Sequence, residues 1–154
     1  MLFRSVAALA QAAVAREAGE KLDLEQVHVR AFDLYSSNLP EIVLSARTPS
    51  GKSAAQGKTV AKGLKGQPRI YYVTVVARVT VSGEVRKLFS SVTSSAWLGS
   101  VPRLEVVDAV DADGDSNGDL LFSAITTSSH SYAIYRVGKD ELFQLVESGP
   151  VPND

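Results

Sequence analysis

The stretch Asp111-Ala112-Asp113-Gly114-Asp115-Ser116-Asn117-Gly118-Asp119-Leu120-Leu121-Phe122 sets carboxylates at positions 1, 3, 5 and 9 of a tight loop that runs into an apolar segment. Four acids so spaced repel one another unless a cation sits among them. A hard divalent ion takes oxygen ligands at about 2.3–2.6 Å from alternating loop positions, with a backbone carbonyl at position 7. Calcium suits such a set, held by Asp111, Asp113, Asp115 and Asp119 with the carbonyl of Asn117. Gly114 and Gly118 are expected to supply the positive φ values of the loop. A plain solvated turn accounts for the Gly and Asn residues but not for the placement of the four Asp.

The flanks of the loop choose between folds. A helix-flanked calcium hand needs a bidentate Glu at position 12, but position 12 is Phe122, and both flanks alternate as strands. A strand–loop–strand unit remains. Over about residues 103–147 it resembles the calcium loops of FG-GAP/VCBS repeats, with Asp111, Asp113, Asp115, Asp119 and Leu120-Leu121 at the matching positions. The family's usual Gly at loop position 6 is Ser116 here. The resemblance implies a non-enzymatic module with a structural, adhesion or interaction role and a protein or glycan partner. It also implies an extracytoplasmic setting, where calcium is plentiful enough for a loop binding at about 10⁻⁴–10⁻³ M.

The unit recurs earlier in the chain. Arg30-Ala-Phe-Asp33 aligns with Asp108-Ala-Val-Asp111, and Glu41-Ile-Val-Leu-Ser-Ala46 with Asp119-Leu-Leu-Phe-Ser-Ala124, at a constant spacing of 78 residues. Further on, Ala77-Arg78-Val79 matches Tyr135-Arg136-Val137, and Leu88-Phe89 matches Leu142-Phe143. In this first copy the ligand positions read Asp33, Tyr35, Ser37 and Glu41, so two of four carboxylates are missing and no tight site is expected.

Val, Ile, Tyr, Phe and Thr dominate segments punctuated by Gly, Ser, Asp and Pro. They predict strands over 24–32, 41–46, 70–81, 84–96, 103–110, 119–125, 131–137 and 141–147. Ser82-Gly83 reads as a two-residue hairpin turn, and Ser148–Asp154 as a polar exit from the last strand. Residues 6–18, rich in alanine, predict a helix that stops near Gly19. The fold class is therefore mainly β: two related four-stranded antiparallel, propeller-blade-like units behind a short N-terminal helix. The expected divisions are 1–21 for the helical segment, 22–98 for the first unit with its degenerate Asp loop, and 99–154 for the calcium-loop unit. Two blades cannot close a ring of the usual 4–8, so the chain is either part of a longer array or a pair of sheets packed face to face. The first segment reads either as a helix of a parent protein or as a poor secretory leader with Ala13-Val14-Ala15 as its small-residue site.

Charge and composition narrow the functions. The chain has 154 residues, no cysteine, and 16 basic against 17 acidic residues. No disulfide or thiolate site can exist. Residues 101–154 hold 10 of the acids and only 3 of the bases, so the half with the loop is the acidic one. The connection 47–69 holds Arg47, Lys52, Lys58, Lys62, Lys65 and Arg69 with no acid and no aromatic residue, which favours a solvated linker over a nucleic-acid surface. No segment approaches the ~20 apolar residues of a membrane span.

Several strings imitate catalytic motifs. Ala46–Ser53 fits a relaxed phosphate loop around Gly51-Lys52-Ser53, and a nucleotide-binding enzyme built on it is the alternative reading; a metal-free structural domain is another. A real phosphate loop opens a helix, whereas Gly57, Gly63, Gly66 and Pro68 break any helix here. Gly114–Gly118 spells G-x-S-x-G, with Asp119 and His130 following in hydrolase order, but the nucleophile elbow also needs a helix where residues 119–125 read as strand. His28 and His130 read as surface residues, with no third imidazole or thiol to complete a zinc site. Trp97 and the tyrosines 71, 72, 132 and 135 read as sheet packing rather than a sugar platform. No catalytic residue is assigned.

Overall fold

Val6, Ala10 and Val14 recur every four residues, so a helix carries all three on one stripe, and the small alanines between them let that stripe approach a sheet closely. In the computed structural model, which describes residues 1–50 and 69–153, this helix is α1 (Leu2–Ala18), and those three side chains are fully buried. It starts one turn before the alanine-rich run suggested. It ends where Gly19 turns left-handed at φ 77° and donates its N–H to the Ala15 carbonyl at 2.9 Å.

Two antiparallel sheets follow. The first is β1 (Glu25–Phe32), β2 (Glu41–Arg47), β3 (Tyr71–Val79) and β4 (Val85–Ser94), in that order. The second is β5 (Arg103–Val110), β6 (Asp119–Ile125), β7 (Ser129–Val137) and β8 (Leu142–Glu147). A short β9 (Val151–Pro152) pairs with the start of β7 and makes the fifth strand of this sheet. Segment 148–154 is thus not a plain exit: Val151 faces His130, and Asn153 donates its N–H to the Ser128 carbonyl.

The layers are α1, first sheet, second sheet. One side of the first sheet, formed by Ile42, Leu44, Val73, Val75 and Ala77, packs against Val6, Ala10 and Val14. The other side, with Val43, Val76 and Leu88, meets Leu120, Phe122 and Val137 of the second sheet. Apolar residues on both sides of β2 and β3 are the consequence of being sandwiched, since a strand with one wet side would alternate strictly.

The two ladders share their register. Glu41 faces Phe32 on one side and Arg78 on the other; Asp119 faces Val110, and Leu120 faces Tyr135, the residue before Arg136. Both third-to-fourth strand pairs slip at one place, between Val76 and Ala77 and between Ile134 and Tyr135. Val85 sits against Val79 as Leu142 sits against Val137. The apolar strings Leu88-Phe89 and Leu142-Phe143 therefore do not occupy matching places: Leu142-Phe143 stand where Val85-Arg86 do, and Leu88-Phe89 correspond to Leu145-Val146.

Three smaller expectations are corrected. The β3–β4 hairpin closes through Val81, Ser82 and Gly83 between Thr80 and Glu84, with Gly83 left-handed at φ 81°, so it is a three-residue turn rather than a two-residue one. β7 begins at Ser129 rather than at 131, so His130 lies within it, with its Nδ1 3.1 Å from the Asn153 Oδ1. Trp97 is exposed on a turn after β4 and takes no part in sheet packing. The phosphate-loop residues Gly51-Lys52-Ser53 and the lysines of the basic connection lie outside the described residues.

Candidate metal centre

Strand pairing brings the loop together. Residues 111–118 join β5 to β6, so the hairpin closes with Asp111 just after one strand and Asp119 as the first residue of the next. Asp111 organises the turn: its Oδ1 accepts N–H groups from Gly114 at 2.8 Å and Asp115 at 3.2 Å, and its Oδ2 accepts that of Ser116 at 3.1 Å. Two residues adopt positive φ, Gly114 at 78° and Ser116 at 67°. Gly118, expected to be the second, has an ordinary φ and is needed for another reason. A Cβ there would lie 2.7 Å from the Leu34 Cδ2 and 3.3 Å from its Cα, because the Gly118 N–H reaches the Leu34 carbonyl at 2.7 Å.

Asp111, Asp113 and Asp115 are all exposed, and each places one carboxylate oxygen within 4.8 Å of the others. Asn117 donates its backbone N–H to the Asp115 Oδ1 at 2.8 Å, and this bond, with a further one from the Asn117 side chain, holds the Asp115 carboxyl below the usual range. Asp119 is fully buried and is not one of the carboxylates that converge within 4.8 Å.

The residue that ties Asp119 to the triad is Arg136. Its Nε donates to the Asp119 Oδ1 at 3.2 Å, and its Nη2 donates to the Asp113 Oδ2 at 2.6 Å and lies 3.8 Å from the Asp115 Oδ2. These bonds, to Asp119 first and Asp113 second, push its pKa further up, so it stays charged at every ordinary pH. In the sequence Arg136 matches Arg78 of the first unit, with no role of its own. The available signal was a lone Arg on a strand that pairs with a buried Asp, a charge that needs a partner.

The loop between β1 and β2 repeats the backbone of this one with other side chains. Asp33 accepts the N–H groups of Ser37 at 2.8 Å and Asn38 at 3.1 Å, as Asp111 accepts those of Asp115 and Ser116. Ser36 and Asn38 hold positive φ where Gly114 and Ser116 do. Buried Glu41 accepts the Arg78 Nε at 2.8 Å and the Leu34 N–H at 3.3 Å, parallel to Asp119 with Arg136 and Ala112. Tyr35 replaces Asp113: its ring centroid lies 5.5 Å from the Arg78 Cζ, and its hydroxyl donates to the Val137 carbonyl. Here one carboxylate and an aromatic face satisfy the arginine.

A cleft elsewhere, where β1 and β2 meet β5, is lined by Arg30, Arg47, Tyr72, Thr74 and Arg103. Each arginine already has an acid: Asp108 at 3.3 Å, Glu25 at 3.0 Å and Glu105 at 2.8 Å. This cleft is therefore not a ready anion site. No protein-family model, curated protein or solved structure matches the chain.

Proposed function

We propose that the chain is a non-enzymatic calcium-binding β-repeat module of the FG-GAP/VCBS kind, with a structural, adhesion or interaction role outside the cytoplasm. The observation that carries this reading is the convergence of Asp111, Asp113 and Asp115, whose oxygens gather within 4.8 Å at one loop tip. Carboxylate oxygens are the donors a hard cation takes, and the four acids with Arg136 leave a formal charge of about −3 to attract one. Asp111, Asp113, Asp115 and Asp119 would hold the ion, with the Asn117 carbonyl. The shared registers, shared strand slip and shared Asp-closed turns support a duplication of one unit. Residues 22–98 hold the copy that has given up its ion and 99–154 the copy that keeps it. Among the described residues no helix is long and apolar enough to cross a membrane, and the partner expected is a protein or glycan.

Arg136 favours a second reading, a metal-free structural domain, because it already places a positive charge on Asp113 and Asp119. One titration separates the two. Calcium added to chelator-treated protein raises the melting temperature if the loop binds it; at 10 mM and a dissociation constant of about 10⁻³ M the gain is about 1.4 kcal/mol. Asp113→Asn with Asp115→Asn abolishes that gain. An unchanged melting temperature through 10 mM calcium leaves the metal-free reading, and an undiminished gain in the double variant moves the ion elsewhere.

A further inference from the structure

Sheet faces in this molecule come in matched pairs with one member left over. The first sheet turns Val43, Val76 and Leu88 toward the second sheet, and they are 1%, 0% and 7% exposed beneath Leu120, Phe122 and Val137. In the second sheet the residues at the same register are Leu121, Ile134 and Leu145, with Val146 in the place of Phe89. On that outer side Leu145 is 44% exposed, Val146 54% and Tyr132 44%. Half-buried Leu121 and Ile134 stand opposite exposed Val146 across β6, β7 and β8, so the three form a continuous apolar row. Scattered exposed apolar residues need no cause, but a row across three adjacent strands on one face marks an interaction surface.

The fold itself displays what fits there. The equivalent side of the first sheet is covered by an antiparallel sheet presenting Leu120 and Phe122 from one strand and Val137 from the next. We propose that the outer face of β6–β8 is a docking surface for a further antiparallel β-sheet of this same build, one that presents large aliphatic and aromatic residues at alternate positions. Two such sheets pack about 10 Å apart with strands nearly aligned, which places the incoming Leu and Phe between Leu121, Ile134 and Val146. The interface rests on the likeness of the two sheets and not on calcium, so a failed calcium titration leaves it standing.

The chain has no cysteine, so one introduced thiol reports the face without background. The probe is the full chain carrying Val146→Cys, compared with the same chain extended after Asp154 by a Gly/Ser linker and a second copy of residues 99–154. The unextended chain should react with a soluble thiol reagent within about tenfold of a free peptide thiol, and the extended chain should be slowed at least tenfold. Leu121→Lys with Tyr132→Lys in the receiving sheet should restore the fast rate while leaving the unextended chain's melting temperature within about two degrees. Equal rates in the two chains overturn the proposal. Protection in the unextended chain that grows with protein concentration also overturns it, and makes the occupant a second copy of the chain.

Discussion

Ser116 and Gly118 show how single backbone positions set the loop. Ser116 holds φ 67°, where an L side chain crowds its own carbonyl and costs roughly 1–2 kcal/mol, partly offset for a small polar residue. Ser116→Gly removes the crowding but adds unfolded-state entropy, so the expected gain is about 0.5 kcal/mol in urea unfolding. Gly118→Ala has the opposite sign. Its Cβ meets the Leu34 Cδ2 at 2.7 Å and the Leu34 Cα at 3.3 Å; the first can swing away but the second belongs to the neighbouring turn. A loss of about 1–3 kcal/mol is expected by the same measurement. Arg136 is the third decisive residue. Arg136→Met leaves Asp119 buried without its cation, which costs about 3–5 kcal/mol in chelator. It also removes a positive charge from the site, so under the calcium reading the variant gains more stability from 10 mM calcium than the native chain does. An equal or smaller gain would mean that Arg136 and the ion do not share the same carboxylates.

Between residues and fold stand the two Asp-closed hairpins, one armed with four acids and the other with two. In the β1–β2 loop, Glu41 and the ring of Tyr35 hold Arg78, and Ser37 stands where Asp115 would supply an oxygen. Native mass spectrometry in millimolar calcium should therefore return one specific ion per chain. A second ion that survives Asp113→Asn with Asp115→Asn would place a site at Asp33 and Glu41. The strands were legible in the sequence because β-branched and aromatic runs are interrupted by Gly, Asp and Pro; β5, β6 and their loop fall where alternation set them. Less legible were features that depend on distant partners. The register slip before Phe89, the helix turn at residues 2–5 and the pairing of Val151 with His130 arise from contacts no local window contains. Arg136 escaped for the same reason, since its role exists only once β7 lies beside β6.

At the scale of the whole molecule, the first sheet is a wall shared by two cores. Its helix side holds Val6, Val14, Leu44 and Val75, and its other side joins Val43 and Val76 to Leu120 and Phe122. Because β2 and β3 contribute to both clusters, neither can melt without exposing a strand that the other needs. Tyr35 adds a polar tie, since its hydroxyl on the first sheet's loop donates to the Val137 carbonyl of β7. Burial raises its pKa, so a folded chain keeps this proton more tightly than an unfolded one. That contribution is complete below the unfolded value near 10 and is lost as pH rises through the folded value. Tyr35→Phe should cost about 1 kcal/mol at neutral pH and flatten the fall of stability above pH 10. The shared wall makes a stronger demand. Val14→Asp puts a charge into the helix-side core, and Phe122→Ala empties the inter-sheet core at a ring packed edge-on to Tyr135 with centroids 5.7 Å apart. The second change should cost about 3–5 kcal/mol. If the wall couples the cores, each variant lowers one calorimetric transition, and amide exchange in β2, β3, β6 and β7 accelerates together. Two resolved transitions in Phe122→Ala, with the first sheet still protected by α1 after β6 and β7 exchange freely, would show that the helix-backed sheet holds without the second.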